Sequence, residues 1–310
     1  MYNRTTQNGR AVVFAPFDED LPPRRRTEIC IETSKLITQI ATFIICHTLV
    51  NQQELLKQER MSVAHAILQR VTTTHLCNQK LTAEGIVFEF KGEPFLLHEE
   101  YKTMTLTRAV YEHLAMFYFL FEHPQTVVER DIVWKYWQIN SKKNLLDYDT
   151  SSDTPPTEEQ QEVLKEIEQL RSDILETHIG KQCHRKLDEW TKTETHPANG
   201  SIGFVKKGGR YDVKRLPYSQ AWKYLFKDEE MSMFYRHLSM HCHPVYGGLI
   251  QYQNQPVADR GYDGIPLHFS SCFLAHLCRL FLRQIPQGED IVGQEFGKHD
   301  LDIFHALSTG

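Results

Sequence analysis

Leu106–His123 reads LTRAVYEHLAMFYFLFEH, and this stretch decides the fold. Its apolar residues first recur at helical spacing and then close around the whole circumference. The segment from Tyr101 to Phe121 is therefore read as a buried helix. Pro124 ends it, because proline has no amide with which to continue the ladder. Immediately upstream, Ile86–Leu97 (IVFEFKGEPFLL) alternates apolar and polar and turns at Lys91-Gly92-Glu93-Pro94. This is a short β-hairpin inserted between helices, and it must lean on them to be stable.

Further upstream, Ile29, Leu36, Ile37, Ile40, Phe43, Ile44 and Leu49 fit a helix beginning at Thr27. A second helix, from about Gln52 to Cys77, carries Leu55, Leu56, Val63, Ile67, Leu68 and Val71 on one side. Downstream, Val127–Asn140 forms an amphipathic helix with Trp134 and Trp137, and residues 141–156 (SKKNLLDYDTSSDTPP) read as a loop. Thr157 and Gln160 have the spacing of a capping box. Val163, Ile167, Leu170 and Ile174 follow as a coiled-coil-like seam, on a helix that extends toward Trp190. Residues 191–216 are polar and Gly-rich. Two helices, LPYSQAWKYLF and EEMSMFYRHLSMHCH, are broken near Lys227 and Asp228, and Pro266–Phe281 is a last apolar helix. The fold class is all-α, a multi-helix bundle with a small β-hairpin insertion. A flexible N-terminal arm occupies residues 1–26, a helical domain residues 27–285 with a linker near 141–156, and a C-terminal tail residues 286–310.

Composition bounds the function. The chain has 310 residues, 41% hydrophobic and 24% charged, with a net charge of −5. It buries a core without needing disulfide or metal staples, and it is too apolar to be disordered. The acidity excludes a protein that binds nucleic acid by charge alone, but it leaves room for a locally basic cleft. The seven cysteines are odd in number and form no CxxC pair, which fits a reducing, cytoplasmic setting. The N-terminus MYNRTTQNGRAVVF lacks a signal-peptide layout. The apolar stretch Leu36–Val50 is too short and too polar to span a bilayer, so no membrane association is expected.

Two helices place ionisable groups where apolar faces belong. Arg108 and Glu112 lie four apart in the Tyr101–Phe121 helix and can pair there, with His113 beside them. An unpaired charge in that setting would be very costly. Tyr235, Ser239 and His243 form a polar stripe on a second helix that also carries Arg236, His237, His241 and Cys242. The His237–His241 pair has zinc-chelating spacing, but no carboxylate in phase, HExxH motif or CxxC pair supports a metal site. No Walker A loop, no GxGxxG following a strand and no GxSxG elbow occurs. Gly208-Gly209, between Lys206, Lys207 and Arg210, reads as a mobile turn.

The Arg108-x3-Glu112 helix, followed much later by Tyr235-x3-Ser239-x3-His243, resembles an uncharacterised, mostly bacterial all-helical family known only as a domain of unknown function. The resemblance spans about residues 30–285. It implies a helical fold in which these five residues meet, and it implies no established reaction. Separately, Arg236-His237-x3-His241 is similar to the Arg-polar-x3-His signature of HEPN-type ribonucleases, helical proteins of toxin–antitoxin and antiphage systems. That resemblance implies metal-independent cleavage of RNA by 2′-hydroxyl attack, usually at a site completed across a dimer. Arg236 would stabilise phosphate charge and His241 would act as acid or base. Arg108-Ala109-x3-His113 is the poorer match, with alanine where a polar residue belongs.

The functional expectation is an intracellular ribonuclease of toxin or antiphage-defence type, with Arg236 and His241 catalytic. Arg108, Glu112, Tyr235, Ser239 and His243 would line or support the site. No metal and no cofactor is expected. The expected partners are RNA, a second copy of the chain, or an antitoxin or defence protein. The runner-up is a non-enzymatic helical module that binds a protein partner or a small ligand, with the polar cluster as buried scaffold. A metal-dependent hydrolase comes third.

Overall fold

The computed structural model describes residues 20–90, 93–97, 100–149, 157–193, 200–226, 230–242 and 264–309. In chain order the elements are helices α1 (Pro23–Asn51) and α2 (Glu59–Glu84), strands β1 (Ile86–Phe90) and β2 (Glu93–Leu97), and helix α3 (Glu100–Phe117). A π-helical turn, Tyr118–Glu122, leads to helices α4 (Val127–Asp149), α5 (Glu158–Glu176) and α6 (His184–Thr193). Strands β3 (Ser201–Lys207) and β4 (Arg210–Leu216) follow. Helices α7 (Glu230–Cys242), α8 (Ile265–Leu282), α9 (Gly288–Glu295) and α10 (Lys298–Thr309) complete the chain. The fold class is the one the sequence implies, mostly helical with an inserted hairpin at Ile86–Leu97.

The chain forms two compact units. One takes Met1–Leu114 with Asp228–Gly310, and the other takes Ala115–Lys227. In the first unit α8 is the central helix, packed against α1, α2 and α10. Phe273, Leu274, Leu277, Cys278 and Phe281 on α8 are buried, as are Ile37, Ile40 and Ile44 on α1. By length and composition α8 and the stretch Arg24–Asn51 are long and apolar enough to cross a membrane. In α8, 78% of the apolar window is buried inside the protein. In the second unit α4 carries the core, with Ile132, Val133, Tyr136 and Ile139 meeting Ile167 and Ile174 of α5 and Ile202 and Val213 of the strands. The seam expected on α5 therefore faces this core. Its capping box is formed, with Gln160 N donating to Thr157 Oγ1 at 3.2 Å and Thr157 N to Gln160 Oε1 at 2.9 Å.

Several boundaries differ from the sequence expectation. The helix expected from about Gln52 to Cys77 is a short helix, Gln53–Leu56, followed by α2 at Glu59–Glu84, so Leu55 and Leu56 do not share a face with Val71. The helix expected over LPYSQAWKYLF is a 3-10 turn, Tyr218–Gln220, and a single helical turn, Trp222–Leu225. The first helix starts at Pro23, not Thr27. Proline suits a first helical turn, where its missing amide costs nothing, and Arg24 and Arg25 pair with Glu28 one turn on. The tract at 141–156 is helical through Asp149, and residues 150–156 lie outside the described residues. The helix from Thr157 ends at Glu176 because the Thr177 hydroxyl caps a new turn, accepting from Gly180 N at 2.8 Å. The tail holds two further helices, α9 and α10. Residues 1–19 of the expected arm lie outside the described residues.

A second hairpin, β3–β4, occupies part of the tract read as polar loop. Gly208 and Gly209 join its strands with φ of 55° and 81°, the left-handed region that tight two-residue hairpin turns require. The signal was present in Ile202 and Phe204 alternating before the glycines and Tyr211 and Val213 after them.

Candidate functional site

In the first unit, α3 and α7 bring together Arg108, Glu112, Tyr235 and Ser239, four of the five residues expected to meet. Arg108 Nε donates to Glu112 Oε1 at 2.7 Å, one turn along α3. Their side chains keep 19% and 35% of their surface, so solvent reaches the pair. Tyr235 of α7 donates its hydroxyl to the same carboxylate oxygen at 3.2 Å. The Arg108 guanidinium stands 5.6 Å from the centre of the Tyr235 ring, a favourable cation–π placement. Tyr111 packs on that ring at 5.0 Å and on Phe273 of α8 at 5.3 Å. Ser239 lies one turn along α7 from Tyr235, on the same face of the helix. Burial and then the Glu112 carboxylate push the phenol's pKa up, so it stays protonated and donates.

Glu112 is the shared acceptor of this network. One cation faces one anion, and the phenol supplies a further donor to the anion. It fixes α7 against α3, assisted by Phe234, which stacks on Phe269 of α8 at 3.8 Å. It places no base against Ser239 among the described residues, so it activates no nucleophile there. His113 turns aside. Its Nδ1 donates to the Ala109 carbonyl at 2.7 Å, and burial lowers its pKa. The Arg108–His113 spacing is thus absorbed in two local bonds.

Arg236 lies next to Tyr235 on α7, about 100° around the helix from it. It is exposed, and among the described residues it makes no ion pair. His241 falls in the last turn of α7, but its side chain, that of Cys242, and the whole of His243 lie outside the described residues. The proposed zinc-chelating pair is therefore only half described. Among the described residues no three His, Cys, Asp or Glu side chains gather at metal-binding range.

Two features escaped the sequence reading. In the first unit His75 of α2 is fully buried between two hydroxyls, with Ser34 Oγ 2.9 Å from Nε2 and Ser270 Oγ 2.7 Å from Nδ1. Burial pushes its pKa down to about 4, so it is neutral. Asn78 donates to Thr107 at 2.8 Å, and Thr107 donates to the Pro266 carbonyl at 2.9 Å. These bonds tie α1, α2, α3 and α8 together in a polar layer, in which Asn78 Oδ1 alone of the Asn78 amide atoms is buried without a hydrogen bond.

In the second unit a cavity of about 420 Å³ opens between the start of α4 and the β3–β4 hairpin, with His123, Gln125, Glu129, Phe204, Lys206 and Tyr211 on its wall. The π turn delivers His123 there, its amide bonded to the Tyr118 carbonyl at 2.9 Å. Gly203 makes room for the imidazole, since a Cβ on it would stand 2.9 Å from His123 Nε2. Burial lowers the pKa of His123. Glu129 is buried and accepts from Gln125 N at 2.8 Å, and Thr126 accepts from Glu129 N at 3.1 Å, so the first turn of α4 is capped.

A family model described as a family of unknown function, DUF5677, matches residues 98–260, more than half of the chain. The match is narrower than the span of about 30–285 that the resemblance implied, yet it encloses every candidate residue named above. No curated protein and no solved structure matches the chain.

Proposed function

We propose that this chain, which belongs to the DUF5677 family of unknown function, is a metal-independent endoribonuclease of the toxin or antiphage-defence type. The observation that supports this reading is the position of Arg236. It is an exposed cation on a helix whose neighbouring face is clamped by the Tyr235–Glu112 bond. A guanidinium on a fixed backbone presents paired donors to a phosphate without first breaking an ion pair. In this reading a base takes the proton of a ribose 2′-hydroxyl, the freed oxygen attacks the adjacent phosphorus, and the 5′-oxygen leaves with a proton from an acid. The products carry a 2′,3′-cyclic phosphate and a 5′-hydroxyl. Arg236 offsets the charge on the phosphorane, and His241 serves as the acid or base. Arg108, Glu112, Tyr235 and Ser239 act as positioning residues.

Residues five apart on an ideal helix point about 140° from each other. One copy of α7 therefore does not aim Arg236 and His241 into one cleft, and the reading requires a second copy to complete the site. The test follows from that requirement. Arg236→Ala and His241→Ala should each lower RNA cleavage by at least about 100-fold while melting like the native chain. Mixing the two inactive variants should restore part of the activity through heterodimers. If the native protein leaves RNA uncut, or if Arg236→Ala cuts as well as native, the reading fails.

The free thiols Cys30, Cys46, Cys77, Cys183, Cys272 and Cys278 support a reducing, cytoplasmic location. An antitoxin or defence protein remains the proposed regulatory partner. The Arg108–Glu112–Tyr235 network favours one second reading, a non-enzymatic helical module that binds a protein or small ligand and uses these residues as scaffold.

A further inference from the structure

The β3–β4 hairpin is the most basic segment described. Between Lys206 and Arg215 it carries five cationic side chains against one carboxylate, Asp212. All five cations are exposed. Asp212 is bound to Lys186 at 2.6 Å, so it does not neutralise the ribbon. The register pairs Lys207 with Arg210 and Gly203 with Lys214 on one face, and Lys206 with Tyr211 and Phe204 with Val213 on the other. Among the described residues Lys207, Arg210 and Lys214 make no ion pair. Lys206 and Tyr211 belong at once to this ribbon and to the cavity wall, with the ammonium 5.5 Å from the ring centre.

The cavity walls combine rings (His123, Phe204, Tyr211) with groups that read a polar edge (the Gln125 amide and the Glu129 carboxylate). A volume of about 420 Å³ suits one small planar group. An acidic peptide would satisfy the ribbon but not the cavity, because its carboxylate would meet Glu129 in a buried setting. An exocyclic amine of a base would donate to that carboxylate.

We propose that the second unit binds single-stranded RNA, the ribbon holding the phosphates and the cavity holding one unstacked base, with adenine or cytosine preferred over uracil. Unstacked bases on aromatic side chains beside a cationic track are the usual physics of single-strand binding. The choice of RNA over DNA rests on the ribonuclease reading. Binding itself does not, and it can hold where cleavage fails.

The experiment is fluorescence anisotropy with the full chain and labelled, 2′-O-methylated oligomers of about a dozen residues, which cannot be cut by 2′-hydroxyl attack. Oligo(A) should bind more tightly than oligo(U), and both should weaken with salt. The triple variant Lys207→Gln/Arg210→Gln/Lys214→Gln should weaken both alike and flatten the slope of log K against log salt by about 2. Tyr211→Ala should weaken oligo(A) by about tenfold or more. Glu129→Gln, which keeps the oxygen that accepts from Gln125, should abolish the preference for A over U with little change in melting. Polyglutamate binding as tightly as oligo(A), or a triple variant with unchanged salt slope, overturns the proposal. Tighter binding to oligo(dA) than to RNA would overturn the choice of RNA. Binding as described by a chain that cuts no RNA would refute the ribonuclease reading and leave this one standing.

Discussion

The two units treat their polar groups in opposite ways. In the first, Arg108, Glu112 and Tyr235 satisfy one another, and His75 is enclosed between Ser34 and Ser270. In the second, His123, Glu129, Lys206 and Tyr211 surround a cavity, and the neighbouring lysines and arginines face water. A satisfied network fixes helices, and its energy is already spent within the fold. An open set of rings and charges retains capacity for a ligand. Ionisable residues in an apolar helix therefore identify a structural joint as readily as a reactive site, and partner geometry separates the two.

Acid should pull this contrast apart most strongly. His75 and His276, both in the first unit, are held at about pKa 4 against an ordinary 6.5, by burial in each case and, for His276, also by Arg279 and Arg283. Above pH 6.5 these rings are neutral folded and unfolded, and their contribution to stability is complete. Between pH 6.5 and 4 the unfolded chain takes up protons that the folded chain refuses, so stability falls as pH falls. Each histidine accounts for about 3 kcal/mol over that window. In the second unit Asp188 is held at about 2 by Arg171 and Lys192, and Asp173 and Asp212 are lowered by their hydrogen-bonded partners. These carboxylates contribute above their ordinary pKa of 3.8, and the contribution is lost only as pH falls below it. Among the described residues the second unit holds one lowered histidine, His123, against His75 and His276 at about 4 in the first. Hydrogen exchange measured from pH 7 to pH 4.5 should therefore show α1, α2 and α8 losing more protection than α4 and α5. Equal loss in both units would refute the contrast.

The next largest effect should come from opening the Glu112 network. Glu112→Ala leaves Arg108 partly buried without its carboxylate and removes the acceptor of Tyr235. The expected cost is about 2 kcal/mol, moderated because a third of the Glu112 surface reaches water. Glu112→Gln, which keeps an acceptor but no charge, should cost less. Both should loosen α7 and so reduce any activity that depends on Arg236. A Glu112→Ala chain of native stability would mean that the network is ornamental to the fold.

Much of this was legible before the structure. The i,i+4 pair of Arg108 and Glu112 could be read because its partners share one helix face, and Tyr235 followed as a polar residue among apolar neighbours. The β3–β4 hairpin was obscured because charged residues fill its outer face and Gly208-Gly209 suits a loop equally well. The cavity could not be read at all. His123 comes from a π turn, Glu129 from a helix start and Tyr211 from a strand, and no sequence spacing links them. Ser34, His75 and Ser270 were hidden for the same reason: each looks like an isolated polar residue until the helices pack.

The smallest effect tests whether a locally encoded feature stays local. The Thr157–Gln160 box on α5 was read from four residues and is formed by two hydrogen bonds at the exposed start of the helix. Thr157→Ala removes the hydroxyl that accepts from Gln160 N, at a cost of about 1 kcal/mol. Ile167 and Ile174, which anchor α5 to the core, lie about three and about five turns further on and are untouched. Faster hydrogen exchange should therefore be confined to the first turn of α5, with ligand binding in the cavity and protection of α1 and α8 unchanged. Faster exchange reaching Ile174 would show instead that the second unit depends on this cap as the first depends on Glu112.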